Sequence, residues 1–135
     1  MSKESEQRCD ARGCLSDYLQ AFAARDTRKV AVCFAGSAIL ELPTLKPGRL
    51  VGLAEIEAAH SLAFQTLSMA EVEINEISAT GALAFASGKL TVVCRGRDEV
   101  YPFALASECV ASGLSRASWY FDSRGQRLWS DRAVL

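Results

Sequence analysis

Three kinds of side chain in this chain could carry chemistry: one imidazole, a phenol on an apolar helix stripe, and two carboxylates set among apolar residues. His60 is the only histidine. Its unperturbed pKa lies near neutrality, so it could exchange a proton at physiological pH. On an apolar stripe it could equally be a packed and satisfied ring. Tyr18 offers one hydroxyl, which can serve a ligand oxygen as an oxyanion-hole donor or find a partner in the core. Glu41 lies beside Leu42 and Pro43, and strand alternation turns it to the face opposite Leu42, toward solvent or a helix. Glu108 interrupts the run ALASECVASG. There it is either a pocket acid with a raised pKa or, as favoured, an edge-strand charge that discourages aggregation. With one histidine and no visible ligand set, no metal site is expected. Neither a Gly-rich phosphate loop nor another cofactor fingerprint occurs, so no cofactor is expected.

The elements that must position these groups follow from periodicity. Cys14, Leu15, Tyr18, Leu19 and Phe22 repeat at helical spacing, which predicts a first helix from about Asp10 to Ala24. Asp26 or Thr27 caps a short second helix that reaches about Phe34 and ends at Gly36. A first strand covers Ala38 to Leu42 and stops at Pro43, followed by a loop with a Pro47-Gly48 turn. A third helix spans Gly52 to Leu67, with Ile56, Ala59, His60, Ala63, Phe64 and Leu67 on its apolar side. The period then switches to two. Glu71–Asn75 is half-buried strand, and Glu76-Ile77 breaks its phase as a bulge would. Further strands are expected at Leu83–Arg95, bent at Gly88, and at Glu99–Ala111, Leu114–Phe121 and Gln126–Val134. Helices first and a meander after predict an α+β fold, with helices covering one face of a curved antiparallel sheet.

Composition limits the rest. The chain has 135 residues, half of them hydrophobic and 23% charged, with a formal net charge of -1. That suits one domain, residues 10–135, behind a frayed polar tail of residues 1–9. A basic patch for nucleic acid is absent, and no apolar run is long enough to cross a membrane. The five cysteines, Cys9, Cys14, Cys33, Cys94 and Cys109, are odd in number and lack CxxC spacing, so a disulfide framework is not expected. Cys33, Cys94 and Cys109 read as small buried hydrophobes. MSKESEQR has no apolar core of a signal peptide. Together these features predict a reduced, cytoplasmic protein.

Three patterns, in this order, resemble the nuclear-transport-factor-two-like superfamily, which includes ketosteroid isomerases and SnoaL-like polyketide cyclases. They are Y-x-x-A-x-x-x-x-D at Tyr18–Asp26, F-A-x-x-A-x-x-E-x-P at Phe34–Pro43, and the Gly52-x-x-x-Ile56 helix start with F-D-x-x-G at Phe121–Gly125. The resemblance implies a cone: a curved sheet wrapped around N-terminal helices, enclosing an apolar cavity. It implies that Tyr18 and His60 form the catalytic pair, with a hydrogen bond between them. It also implies that Leu42, Phe64, Phe85, Ala117, Trp119 and Phe121 line a site for an apolar or aromatic small molecule, in a protein that dimerises through the open sheet face. Trp119, Tyr120, Phe121 and Trp129 would suit a pocket or a dimer face.

Departures from the isomerase pattern are as informative. Leu42 stands where those enzymes carry an aspartate base, and Ala117 where they carry a second, protonated aspartate donor. Leucine cannot accept a proton and alanine cannot donate a hydrogen bond. Losing a general base alone typically costs about 10²–10⁴-fold, so steroid isomerisation by that route is not expected. Isomerase, cyclase or dehydratase chemistry would fall to Tyr18 and His60. The alternatives are a non-enzymatic binding or interaction module, and an epoxide-hydrolase-like activity that would need an Asp-Arg-Asp set. Asp131 and Arg132 read as surface residues.

Overall fold

A computed structural model describes residues 9–42 and 48–121. Helix α1 spans Ala11–Ala23 and α2 spans Thr27–Val32. Each is capped by an aspartate: Asp10 accepts from the Gly13 amide at 3.0 Å, and Asp26 from the Lys29 amide at 3.1 Å. Strand β1 (Phe34–Glu41), the short β2 (Arg49–Val51) and helix α3 (Leu53–Gln65) follow. Four long strands complete the described chain: β3 (Leu67–Thr80), β4 (Leu83–Cys94), β5 (Arg97–Val110) and β6 (Gly113–Phe121).

The α+β architecture is as expected, with two corrections in the sheet. The six strands among the described residues run in the order β2-β1-β6-β5-β4-β3 and are mixed, because β1 pairs with β6 in parallel. The chain must cross from one end of the meander to the other to make that pair. Second, α2 stops at Val32, and Gly36 lies inside β1 rather than ending a helix. Burial explains the early switch: Phe34 is buried with its ring 5.1 Å from Tyr18, which a strand start at Phe34 permits. Strand β2 falls in the stretch expected to be loop. The expected strand Gln126–Val134, with Trp129, Asp131 and Arg132, lies outside the described residues, as do Pro43 and Pro47.

The bulge stands where the period broke, as a register shift between Ile74 and Glu76 of β3. Gly88 lies opposite it, paired with Ile74. A Cβ at Gly88 would run into the Glu73 carbonyl oxygen, so the close approach of the two strands needs a residue without one.

Alternation separates two sheet faces. The inner face carries Leu40, Ala84, Ala86, Leu90, Phe103, Leu105, Ala117 and Trp119, all buried against α1 and α3. The outer face carries Glu41, Leu83, Phe85, Glu108, Arg116 and Tyr120. Phe85, expected on the cavity side, is 42% exposed there, because its neighbours Ala84 and Ala86 take the inner face. Glu108 is exposed on a central strand, not an edge, and stands in register with Arg116.

The cysteine expectation is also corrected. Cys9 and Cys109, 100 residues apart, form a disulfide that ties the start of α1 to β5. The pairing could not be read from spacing, since neither thiol has a partner close in sequence. Cys14, Cys33 and Cys94 are free and only partly buried.

Candidate functional site

Helix α1 brings Tyr18 inward between Leu15 and Phe22, all on the stripe that buries against the sheet. Helix α3 does the same for His60, one turn after Ile56 and one turn before Phe64. Strand β6 brings Trp119 on its inner face, between Ala117 and Phe121. The three meet in a hydrogen-bonded chain. The Trp119 Nε1–H donates to the Tyr18 hydroxyl at 2.8 Å, Tyr18 Oη lies 2.7 Å from His60 Nε2, and His60 Nδ1 lies 2.8 Å from the Ile56 carbonyl oxygen. The helix-one and helix-three residues that the sequence singled out are therefore bonded to each other.

The chain is sealed in aromatic surroundings. Tyr18 and His60 are 0% exposed and Trp119 is 1% exposed. Phe22 packs 5.4 Å from Trp119 and 6.1 Å from His60, and Phe64 lies 5.8 Å from His60. Phe103 meets Trp119 edge-on at 5.4 Å, whereas half-buried Phe121 stacks on it at 5.1 Å with planes 9° apart. Burial pushes the Tyr18 hydroxyl well above the ordinary tyrosine range, since ionisation there would leave a charge without water; the Trp119 N–H offsets only part of this.

Among the residues expected to line a ligand site, Phe64, Trp119 and Phe121 thus gather around the Tyr18–His60 pair. Leu42 and Ala117 are buried in the same core. Phe85 is not brought to it. What sequence reasoning missed was the indole N–H of Trp119 as Tyr18's partner. The aromatic run Trp119-Tyr120-Phe121 signalled a wall, but not which ring edge would meet the phenol. Ser107, also missed, is a buried inner-face hydroxyl that finds no partner among the described residues.

A second polar cluster lies one residue away, on the outer face. Glu41 accepts from Ser118 Oγ at 2.9 Å and pairs with Arg49 at 3.1 Å and Arg116 at 3.4 Å. The Ser118 hydrogen bond and then the two guanidiniums hold its carboxyl below the usual range, with partial burial opposing them. This agrees with the reading that Glu41 turns away from Leu42.

Elsewhere, a cleft of about 480 Å³ opens between α1 and α2, lined by residues that include Asp17, Arg28, Lys29 and Val32 and by none of the Tyr18 chain. Cys33 borders it. Its thiol donates to the Lys29 carbonyl at 3.3 Å, and burial, reinforced by Asp17 and Cys14, pushes its pKa up to about 11, which leaves little thiolate at neutral pH. Among the described residues no three His, Cys, Asp or Glu side chains converge as metal ligands. No described helix is long and apolar enough to cross a membrane.

No family model matches the chain, and no curated protein matches it in sequence. Solved structures do match its fold. A putative SnoaL-like polyketide cyclase from Shewanella denitrificans is similar with a TM-score of 0.77 at 13% identity, covering 93% of this chain and 99% of that one. An LEH-like epoxide hydrolase from M. tuberculosis is similar with a TM-score of 0.76 at 16% identity, covering 94% of each. A putative ketosteroid isomerase from Kribbella flavida is similar with a TM-score of 0.70 at 20% identity, covering 84% of this chain and 78% of that one.

Proposed function

Starting from the premise that this chain has the nuclear-transport-factor-two-like cone fold, we propose that it binds an apolar or aromatic small molecule in the cone. In this reading the ligand lies against the Trp119–Phe121 stack, with Tyr18 and His60 as the polar floor, and the resting protein performs no isomerase-type proton transfer. One observation supports the reading: the polar trio of Tyr18, His60 and Trp119 lies at the centre of the aromatic core, with Phe121 stacked on the indole. Its partner Phe121 is the less buried ring of the stack. The test follows the Trp119 indole N–H signal by NMR, identified by its survival in Trp129→Phe, during titration with flat bicyclic aromatics such as 1-naphthol. Saturable movement of that signal is expected. A signal unmoved at millimolar probe would overturn the reading.

A second reading, proton transfer by Tyr18 and His60, is favoured by their 2.7 Å contact. It requires Trp119 to leave Tyr18. The check is exchange of the α-protons of an aromatic ketone with deuterated water, catalysed by the wild type and lost in His60→Ala. Steroid isomerisation has no support, because Leu42 and Ala117 supply neither base nor donor. An epoxide-hydrolase set has none among the described residues either, where no aspartate or arginine is buried.

The homodimer belongs to the same proposal. Exposed Leu83, Phe85, Val100 and Tyr120 lie on the outer sheet face. Arg49 and Arg116 lie toward one side of it and Glu71, Glu73 and Glu76 on β3 at the other. A two-fold partner would set one copy's basic side across the other's acidic side. The Cys9–Cys109 bond fits an oxidising compartment better than the cytoplasm that the cysteine pattern suggested.

A further inference from the structure

The cleft between α1 and α2 lies outside the cone, and its volume of about 480 Å³ is in the range of small-molecule sites. Helix α1 lines it with Asp17, Gln20, Ala21 and Ala24. These fall at i, i+3, i+4 and i+7, so they share one helix face, distinct from the stripe that carries Tyr18. Two of the four are alanines, which leaves room against the opposite wall. That wall is Arg28, Lys29 and Val32 of α2, with Cys33 after it. The helices join at residues 24–26, so the cleft runs from a hinge end, at Ala24 and Arg28, to an outer end at Asp17 and Cys33. A further cavity of about 230 Å³ shares Asp17, Val32 and Cys33 and continues to Cys14 and the turn between β5 and β6. Val32 is 76% exposed, more than any other large apolar side chain described.

We infer that this cleft binds a small organic carboxylate, its anion toward Arg28 and Lys29 and its apolar body over Ala21, Ala24 and Val32. Charge along the cleft gives the class. Arg28 and Lys29 are exposed neighbours on one wall, and neither makes an ion pair among the described residues. A guanidinium and an ammonium side by side present donors that suit a carboxylate. Asp17 repels the anion from the outer end, which fixes the ligand's direction. The apolar body then covers Val32 and the two alanines, surface that is otherwise left to water. An organic cation would meet one partner, Asp17, at the open end and two like charges toward the hinge. The site is separate from the cone and does not depend on what the cone holds.

The test follows the backbone amides of Gln20, Ala24 and Val32 by NMR in the full wild-type chain, during titration with two probes of one shape. 1-Naphthoate carries the anion, and 1-naphthamide is its neutral counterpart. Saturable movement is expected, with naphthoate binding about 5–10-fold more tightly, the size of two exposed charge pairs. That preference should shrink in 1 M salt. Arg28→Gln with Lys29→Gln, both exposed positions, should abolish it, whereas Asp17→Asn should tighten naphthoate about 2-fold. Equal binding of the two probes by the wild type would overturn the inference, and so would a preference that survives the double substitution. Cleft amides unmoved at millimolar naphthoate would overturn it as well. Movement of the Trp119 indole signal in place of the cleft amides would put the anion in the cone and defeat this site. Cleft amides that shift on dilution without any probe would show a second copy of the chain seated there, which also defeats it.

Discussion

Ser118 and Trp119 are neighbours on β6, yet they belong to two polar clusters built on opposite principles. On the outer face, Ser118 joins Glu41, Arg49 and Arg116 in a charged group within reach of water. On the inner face, Trp119 joins Tyr18, His60 and the Ile56 carbonyl in a chain closed from solvent. The outer cluster is assembled by the parallel pairing of β1 with β6, which sets Glu41 beside Ser118, whereas the inner one is assembled by α1 and α3 meeting β6. The difference shows what one step of strand alternation does. Outside, the Ser118 hydrogen bond and two guanidiniums favour the ionised carboxylate. Inside, removal of water favours the un-ionised phenol, and each side chain of the Tyr18 chain is matched to a partner.

The comparison breaks most severely at Tyr18→Phe. That change removes the acceptor of the buried Trp119 N–H and the hydroxyl that meets His60 Nε2. It should destabilise the protein by about 1–3 kcal/mol, read as a lower urea midpoint, the cost of an orphaned buried donor. A loss below about 0.5 kcal/mol would mean that the inner chain contributes little to stability.

The two clusters should also fail at opposite ends of the pH scale. The folded-state pKa of Tyr18 is raised above the ordinary tyrosine value near 10. Its contribution is therefore fully present below pH ~10 and is lost as alkalinity ionises the unfolded tyrosine. Absorbance at alkaline pH should show Tyr18 ionising only as the fold is lost. Ionisation of Tyr18 in a still-folded protein would contradict the sealed site. The folded-state pKa of Glu41 is lowered. Its contribution is present above the ordinary glutamate value near ~4.3 and is lost as pH falls through the lowered one.

The smallest effect belongs to the outer cluster. Glu41→Gln keeps the shape and removes the charge from a side chain that is 27% exposed. Solvent screening should hold the cost below about 1 kcal/mol, and that cost should shrink further in 1 M salt. A penalty matching that of Tyr18→Phe would erase the contrast between the faces.

Local periodicity determined much of this molecule. The apolar stripe of α1 told that Tyr18 faces inward with Leu15, Leu19 and Phe22, and the α3 stripe placed His60 inside with Ile56 and Phe64. The broken phase at Glu76-Ile77 marked the bulge, and Gly88 marked a bend in the strand that the structure sets opposite it. These are properties of residues within one or two turns or pleats of each other, where spacing alone sets direction.

What only the tertiary structure decided lies between residues far apart in the chain. The Tyr18–His60 bond spans 42 positions, Glu41–Ser118 spans 77, and Trp119–Tyr18 spans 101. The parallel β1–β6 register, the Cys9–Cys109 disulfide and the outward turn of Phe85 belong to the same class. Period two states that alternate residues share a face, but not which face is covered by helices. It is equally silent on which strand closes beside which, since those follow from how the whole sheet pairs and packs. The amino-acid sequence by itself thus placed a phenol and an imidazole in the core, and only the assembled fold brought them together and gave their chain a partner at each end.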